Sequence, residues 1–114
     1  MIIIDKIYRM LGMAKRAGKI CSGEKGCKDA IRFGKSYLVI LASDTGVNTT
    51  KNISDSCKFY EVPLYIIGTM AELGHSIGHE FNAVVSVNDE GFAKTIEKQI
   101  ANINGGEILC QTQK

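Results

Sequence analysis

Three short apolar runs, separated by helical patterns, constrain the fold of this chain more than any other feature. The runs are "YLVILA" at 37–42, "LYIIG" at 64–68 and "AVVSV" at 83–87. Such short, nearly continuous apolar runs are typical of strands that are covered on both faces. A shorter strand is indicated by "KICS" at 19–22. Because helices alternate with these strands, we expect an α/β fold, a three-layer α/β/α sandwich around a small mixed sheet of about four strands.

Helices are indicated by apolar residues that recur with a period near 3.6. This spacing predicts helices over 5–17 and 47–60, and Pro63 prevents the second of these from continuing. The helix over 47–60 would direct Ile53, Cys57 and Tyr60 inward. The last helix of the chain would bury a similar stripe, made of Phe92, Ile96, Ile100 and Ile103.

Residues that favour helix ends refine these limits. Ser22 is a predicted N-cap of the second helix, with Glu24 in its first turn, and Gly34 suits the left-handed position after its end. The stretch from Thr69 to Glu72 has the spacing of a capping box. Asn88 is the predicted cap of the last helix.

The length of 114 residues indicates one domain, which we assign to residues 1–103, followed by a flexible tail over 104–114. We expect a cytosolic protein, since no signal-peptide pattern and no apolar run of about 20 residues occurs. We also expect a monomer when the protein is free. The cysteines lack metal-ligand spacing, so we expect reduced thiols, with Cys27 and Cys57 acting as small core hydrophobes.

Basic residues are concentrated in the N-terminal third of the chain. Residues 9–35 contain eight basic and two acidic side chains, a formal charge of +6, and the rest of the chain carries −4. Such asymmetry indicates an anionic partner. The alternative is a well-solvated charged face without a ligand.

No enzyme motif is complete in this sequence. "GMAKRAGK" at 12–19 resembles a phosphate loop, but five residues separate its glycines and Ile20 follows Lys19 where a Ser or Thr is needed. His75 and His79 lack the glutamate directly after the first His that a zinc protease requires. Asp44 follows a buried strand, where function is common, but it is equally a turn residue or a helix cap. We therefore expect no enzyme, no cofactor and no small-molecule substrate.

The segment "SGEKGCK" at 22–28 instead suits an anion site at the start of a helix. The first amides of a helix have no intrahelical partners, and the helix dipole favours negative charge there. Gly23 would let a ligand backbone approach closely. The basic side chains on or near the exposed side of this helix suit a polyanion, and they are Lys25, Lys28 and Arg32. Lys19, which precedes the segment, is a further candidate for RNA binding.

At this point several motifs together resemble one family. They are "AGKICSG", "AIRFGK", the A-x-D at 42–44 and "ELGHSIG" at 72–78. The chain is similar, over about residues 8–98, to the kink-turn-binding ribosomal protein superfamily, which includes large-subunit proteins seven-Ae and thirty-e, and in particular to its small bacterial YlxQ-type members. The resemblance implies an α/β/α sandwich that binds structured RNA, with ribosomal RNA as one candidate, and catalyses no reaction.

The resemblance also implies two contact regions. In the family the start of the second helix enters the widened groove of a kink-turn, and a loop before the last strand covers an extruded base. Carried over, the helix positions are Gly23, Glu24, Lys25, Gly26 and Asp29, and the loop positions are Gly78, His79, Glu80, Phe81 and Asn82. Phe81 would either stack on a base or pack beneath its own loop.

Three helix positions depart from the family pattern. Many members have an Asn-Glu pair and a later Lys where this chain has Lys25, Gly26 and Asp29. A lysine at the first of these resembles the thirty-e branch, whereas Asp29 removes a phosphate contact. An alternative function is therefore a protein-interaction module that kept the fold but lost specific RNA binding. A weaker alternative is a substrate-recognition fragment like the domain fused to RNA ribose methyltransferases.

Overall fold

The computed structural model describes the backbone of residues 2–101 and the side chains of residues 5–101. Within this range helices and strands alternate, as the apolar runs predict. In chain order they are α1 (Ile2–Arg16), β1 (Ile20–Ser22), α2 (Glu24–Arg32), β2 (Leu38–Leu41), α3 (Val47–Tyr60), β3 (Leu64–Ile66), α4 (Met70–Ser76), β4 (Val84–Val87) and α5 (Glu90–Ala101). Ile103 and the tail over 104–114 lie outside the described residues.

The four described strands form one mixed sheet in the order β1-β4-β2-β3. Strand β4 is antiparallel to β1 and β2, and β2 is parallel to β3. The carboxyl ends of β1, β2 and β3 therefore lie at the same end of the sheet as the start of β4. We call this end, which runs across the strand termini and is not an edge strand, the upper edge. Helices α2, α3 and α4 all begin at the upper edge, and the opposite edge is the lower edge.

The sheet separates two apolar clusters, which confirms the three-layer sandwich. Leu38 and Ile40 of β2 pack in the cluster with α1, α4 and α5, whereas Val39 and Leu41 pack in the cluster with α2 and α3. Alternate residues of a strand point to opposite faces, so one strand supplies both cores. All residues of β2 and β4 are buried, as expected for strands covered on both sides.

The capping box of α4 is confirmed, but two predicted N-caps are wrong. Ser22 pairs with Val85 in the β1–β4 ladder, and Gly23 is the N-cap of α2. At α5 the cap is Asp89, whose carboxylate accepts from the Phe92 N–H at 2.9 Å. The Asn88 side chain does not cap because its Oδ1 accepts from the Ser86 hydroxyl at 2.6 Å, and its backbone N–H donates to the Lys19 carbonyl at 2.8 Å, which extends the strand pairing.

The inward stripe of α3 ends at Cys57, three positions earlier than its spacing predicts. Ile53 and Cys57 are buried, but Tyr60 is 41% exposed. The chain turns at Glu61, which has a left-handed backbone with φ 59°, and Val62 enters the core in its place. None of the helices in residues 2–101 has the length and apolarity needed to cross a membrane.

Candidate nucleic-acid interface

Helix α2 begins at a glycine and without a side-chain cap. Gly23 has φ 87° and ψ 155°, and its N–H donates to the Val84 carbonyl at 3.1 Å. No side chain accepts a capping hydrogen bond from the first amides of the helix. A Cβ at Gly23 would meet no atom within 4 Å, so the backbone angle rather than space requires glycine. The start of α2 therefore presents amide donors and a positive dipole end to an anion.

The outer face of α2 carries three exposed cations around one carboxylate. Lys25 is 91% exposed and its Nζ lies 3.3 Å from an Asp29 oxygen, while an Arg32 nitrogen lies 3.8 Å from the other oxygen. Lys28 is also exposed. Exposed ion pairs contribute only about 0–1 kcal/mol, so a phosphate can compete with Asp29 for both partners. Asp29 lowers the positive charge of this face without removing it.

Glu24 faces α3 rather than a ligand. Its two carboxylate oxygens accept from Asn52 Nδ2 at 2.9 Å and from Thr49 Oγ1 at 2.8 Å. These bonds, that from Asn52 first, hold the pKa of Glu24 below its usual range. Glu24 therefore braces the starts of α2 and α3 against each other. Gly26 is the third residue of the helix, and a Cβ there would lie 3.9 Å from the Cys21 Cβ, which is an ordinary contact distance.

The loop before β4, residues 77–83, lies at the upper edge with α2. Gly78 adopts φ 84°, and His79, Glu80 and Phe81 are exposed. Phe81 is 63% exposed, so it does not pack beneath its own loop. Its ring is available for a stacking contact.

Asn82 has a structural position in this loop, unlike its three exposed neighbours. It is 8% exposed, and its Nδ2 donates to the Val84 carbonyl at 2.9 Å. Its backbone N–H donates to the Met70 carbonyl at 3.0 Å. The side chain of Asn82 therefore fixes the loop and does not face a ligand.

Gly74 is a position that supports the loop over 77–83 and that the residue-by-residue prediction of site residues missed. A Cβ on Gly74 would lie 2.8 Å from backbone atoms of Phe81, so only glycine lets the loop cross α4. The His79 N–H donates to the Gly74 carbonyl at 2.8 Å across this crossing. The signal available in the sequence was Gly74 itself, the first glycine of the "ELGHSIG" motif.

Asp44 and Lys19, which the sequence also suggested as contact residues, belong neither to the start of α2 nor to the loop over 77–83. The Asp44 carboxylate accepts from the Met70 N–H at 2.8 Å, so Asp44 caps α4, which is one of the roles that its position allowed. Lys19 precedes β1 at the lower edge. Four extended residues span about 13 Å, so Lys19 does not join the cluster at the start of α2.

No group of three or more His, Cys, Asp or Glu side chains could hold a metal ion within residues 5–101. His75 and His79 are both exposed. Burial raises the pKa of the Cys57 thiol to about 12 and raises the pKa of Cys27 as well. Both thiols are fully buried core side chains, as predicted, and a thiol with so high a pKa is a poor nucleophile.

Comparison with known proteins agrees with this geometry. The model of the ribosomal protein L7Ae/L30e/S12e/Gadd45 family matches residues 5–97. RNA-binding protein YlxQ from Bacillus subtilis (strain 168) is 42% identical over 89 residues, which are 78% of this chain and 89% of that protein. Large ribosomal subunit protein eL30 from Methanosphaera stadtmanae is 30% identical over 93 residues, 80% of this chain and 95% of that protein.

Solved structures show the same fold. A protein with unknown function from Bacillus halodurans C superposes with a TM-score of 0.82 at 35% identity, covering 85% of this chain and 98% of that chain. The Giardia lamblia 15.5kD RNA binding protein, at 17% identity, has a TM-score of 0.73 and covers 89% of this chain and 87% of that chain. The resemblance inferred from the motifs is confirmed, and the family is not an enzymatic one. The chain belongs to the ribosomal protein L7Ae/L30e/S12e/Gadd45 family.

Proposed function

We propose that this protein binds structured RNA with a bulge or internal loop, of the kink-turn kind, through the start of α2 and the loop over 77–83. One observation carries the proposal. An uncapped, glycine-started helix with exposed lysines and a loop with an exposed aromatic ring lie at the same edge of the sheet. Relatives named as RNA-binding and ribosomal proteins support this function.

Different residues at this edge would bind different parts of the RNA. Amides at the start of α2, together with Lys25 and Lys28, would bind phosphates, because Gly23 lets the RNA backbone approach the helix end. Phe81 would stack on an unpaired base. Glu24 and Asn82 would hold these groups in place through the hydrogen bonds described above.

Gly26 and Asp29 would lower affinity relative to the family pattern. Gly26 offers no side chain to a base edge, and Asp29 repels phosphate while holding Lys25 and Arg32. We therefore propose moderate affinity, with ribosomal RNA as one target, for a monomer acting in the cytosol.

A titration of a bulged RNA hairpin at two salt concentrations tests this function. Compared with the unchanged protein, Lys25→Ala plus Lys28→Ala should weaken binding about a hundredfold, because two hydrogen bonds to charged groups contribute about 1.5 kcal/mol each. The slope of log affinity against log salt should become shallower by about 1.4 to 1.8 for two lost phosphate contacts. A fully paired duplex of equal length should bind more weakly.

Lys94→Ala plus Lys98→Ala on α5 is the matched control, since both of these lysines are exposed and α5 packs on the opposite face of the sheet from α2. The control should bind the hairpin as the unchanged protein does. Equal weakening by the two double variants would rule out the proposed face.

A protein-interaction module is the second candidate function, and the ion pairs of Asp29 favour it. If RNA phosphates do not displace Asp29 from Lys25 and Arg32, the unchanged protein will not bind the hairpin. A stoichiometric protein partner will then co-purify from nuclease-treated lysate.

A further inference from the structure

A cleft between α2 and α3 leads from the proposed RNA contact at the upper edge to a group of exposed aromatic residues at the lower edge. It consists of two cavities of about 620 and 360 Å³, which share Arg32 and Tyr60 in their linings. Lys25 and Lys28 line the first cavity, and Tyr37 lines the second. One continuous surface therefore runs along the length of α2.

The lower end of this cleft exposes aromatic side chains to an unusual degree. Its members form what we call the aromatic corner: Phe33 (63% exposed), Tyr37 (45%), Phe59 (77%) and Tyr60 (41%). The chain has eight aromatic residues in total, so half of them are exposed at this corner. Exposed apolar groups of this size commonly mark a binding site, because each ring could bury about 150–250 Å² elsewhere.

Contacts link the members of the aromatic corner to the cations of α2. The Arg32 guanidinium lies 4.9 Å from the centre of the Phe33 ring. The rings of Phe59 and Tyr60 meet edge to face with centres 4.8 Å apart. Arg32 is thus placed between a ring that it covers and a cavity that it lines with Tyr60.

The spacing of the cations along the cleft matches a short single-stranded polynucleotide. Lys25, Lys28 and Arg32 recur about once per helical turn. The nine residues of α2 span about 13 Å, which corresponds to about four stacked nucleotides at about 3.4 Å each.

The acidic groups of the cleft do not exclude such a strand. Glu24 accepts hydrogen bonds from α3, and Asp29 is paired with Lys25. Glu61 lines the lower cavity, where an RNA 2′-hydroxyl can donate to its carboxylate.

We propose that the cleft between α2 and α3 binds a single-stranded RNA segment that continues from the structured RNA at the start of α2, with bases stacked on Tyr37 and Tyr60. This inference rests on the proposed function. The cations of α2 bind the phosphates of the segment, and the rings accept bases of any sequence, because every base has a flat face. The cleft thereby extends the RNA contact from one edge of the sheet to the other.

The test compares a bulged hairpin with the same hairpin carrying a six-nucleotide single-stranded extension, placed on either strand. In the unchanged protein the better-placed extension should raise affinity about tenfold, as expected for one or two stacked bases. Tyr37→Ala plus Tyr60→Ala should abolish this gain and leave the affinity for the plain hairpin unchanged. Tyr37→Phe plus Tyr60→Phe keeps the rings and should retain the gain, and thermal unfolding verifies that both variants fold.

The outcomes separate this inference from the proposed function. If the unchanged protein does not bind the plain hairpin, the proposed function fails and this inference fails with it. If it binds the plain hairpin and both extended hairpins equally well, only the cleft proposal is overturned. A protein partner that binds the unchanged protein but not the Ala double variant, with no effect of the extension, would show that the cleft takes a protein.

Discussion

Helices α2 and α4 both begin at the upper edge of the sheet, but their starts differ in how the first amides are satisfied. At α4, the Thr69 hydroxyl accepts from the Glu72 N–H at 3.2 Å, and the Glu72 carboxylate accepts from the Thr69 N–H at 3.1 Å. Asp44 accepts from the Met70 N–H at 2.8 Å. Helix α2 has only Gly23 at its start and no side-chain cap. A start with internal partners stabilises the fold, whereas an open start leaves its donors to a ligand.

The start of α4 is also connected to a third element. The Tyr8 hydroxyl of α1 donates to Glu72 Oε1 at 3.2 Å, and burial together with the Glu72 carboxylate raises the pKa of Tyr8 to about 12. The loop over 77–83 is hydrogen-bonded to α4 through the Met70 and Gly74 carbonyls. The capped start of α4 thus supports the loop that carries Phe81, while the start of α2 has no side-chain cap.

The largest effect is expected at the glycine that opens α2. Gly23→Ala should lower the free energy of unfolding by about 1–3 kcal/mol, because φ 87° with ψ 155° is a conformation that essentially only glycine adopts. Gly46→Ala, at the glycine cap of α3, is the matched control. Gly46 has φ −61°, and its Cβ would meet no atom within 4 Å, so alanine there should cost nothing or stabilise by about 0.4–1 kcal/mol. Urea unfolding measures both, and similar losses would show that the backbone angle at α2 is not the constraint.

A smaller effect is expected at the caps themselves. Thr69→Ala should lower the free energy of unfolding by about 1 kcal/mol, since it removes a cap that is part of a reciprocal pair. Ser22→Ala should change it by less than about 0.5 kcal/mol, because the Ser22 side chain caps no helix. Denaturation of the two variants side by side checks this contrast. A loss at Ser22 as large as that at Thr69 would contradict an uncapped α2.

The smallest effect concerns the carboxylate that braces α2 against α3. Hydrogen bonds from Asn52 and Thr49 lower the pKa of Glu24 in the folded chain. The unfolded chain therefore binds a proton at Glu24 at a higher pH than the folded chain does, so the contribution of Glu24 to stability is present above its ordinary pKa and is lost as the pH falls through the lowered value. Glu24→Gln should lose less stability than the unchanged protein on acidification.

Glu80→Gln is the control for this acid titration. Glu80 has no hydrogen-bonding partner in the part of the chain that the structure describes, so replacing its carboxylate removes no bond of the folded chain, and this variant should be as stable as the unchanged protein. Unfolding measured at several pH values provides the comparison. Identical dependence of stability on pH for Glu24→Gln and the unchanged protein would show that the hydrogen bonds between Glu24 and α3 do not stabilise the folded chain.

Local patterns predicted those elements whose signals lie within a few residues. The helix over 47–60 and the capping box from Thr69 to Glu72 are both confirmed at the predicted positions. Helix caps next to strands were less predictable. Ser22 and Asn88 are good capping residues by type, but both are engaged in the pairing of β1 with β4, and that register depends on residues more than 60 positions apart.

The sequence by itself determined the order of helices and strands, the sandwich class and the family, because apolar periodicity and short motifs are local properties of the chain. Only the tertiary structure decided how the predicted contact residues are used. It turns Glu24 toward α3, Asp44 toward α4 and Asn82 into the loop, and it leaves the start of α2 without a side-chain cap at the same edge of the sheet as Phe81. The partners of Glu24 and Asp44 lie 28 and 26 residues away, so only the tertiary packing of α2 against α3, and of the β2–α3 connection against the start of α4, brings them within hydrogen-bonding distance.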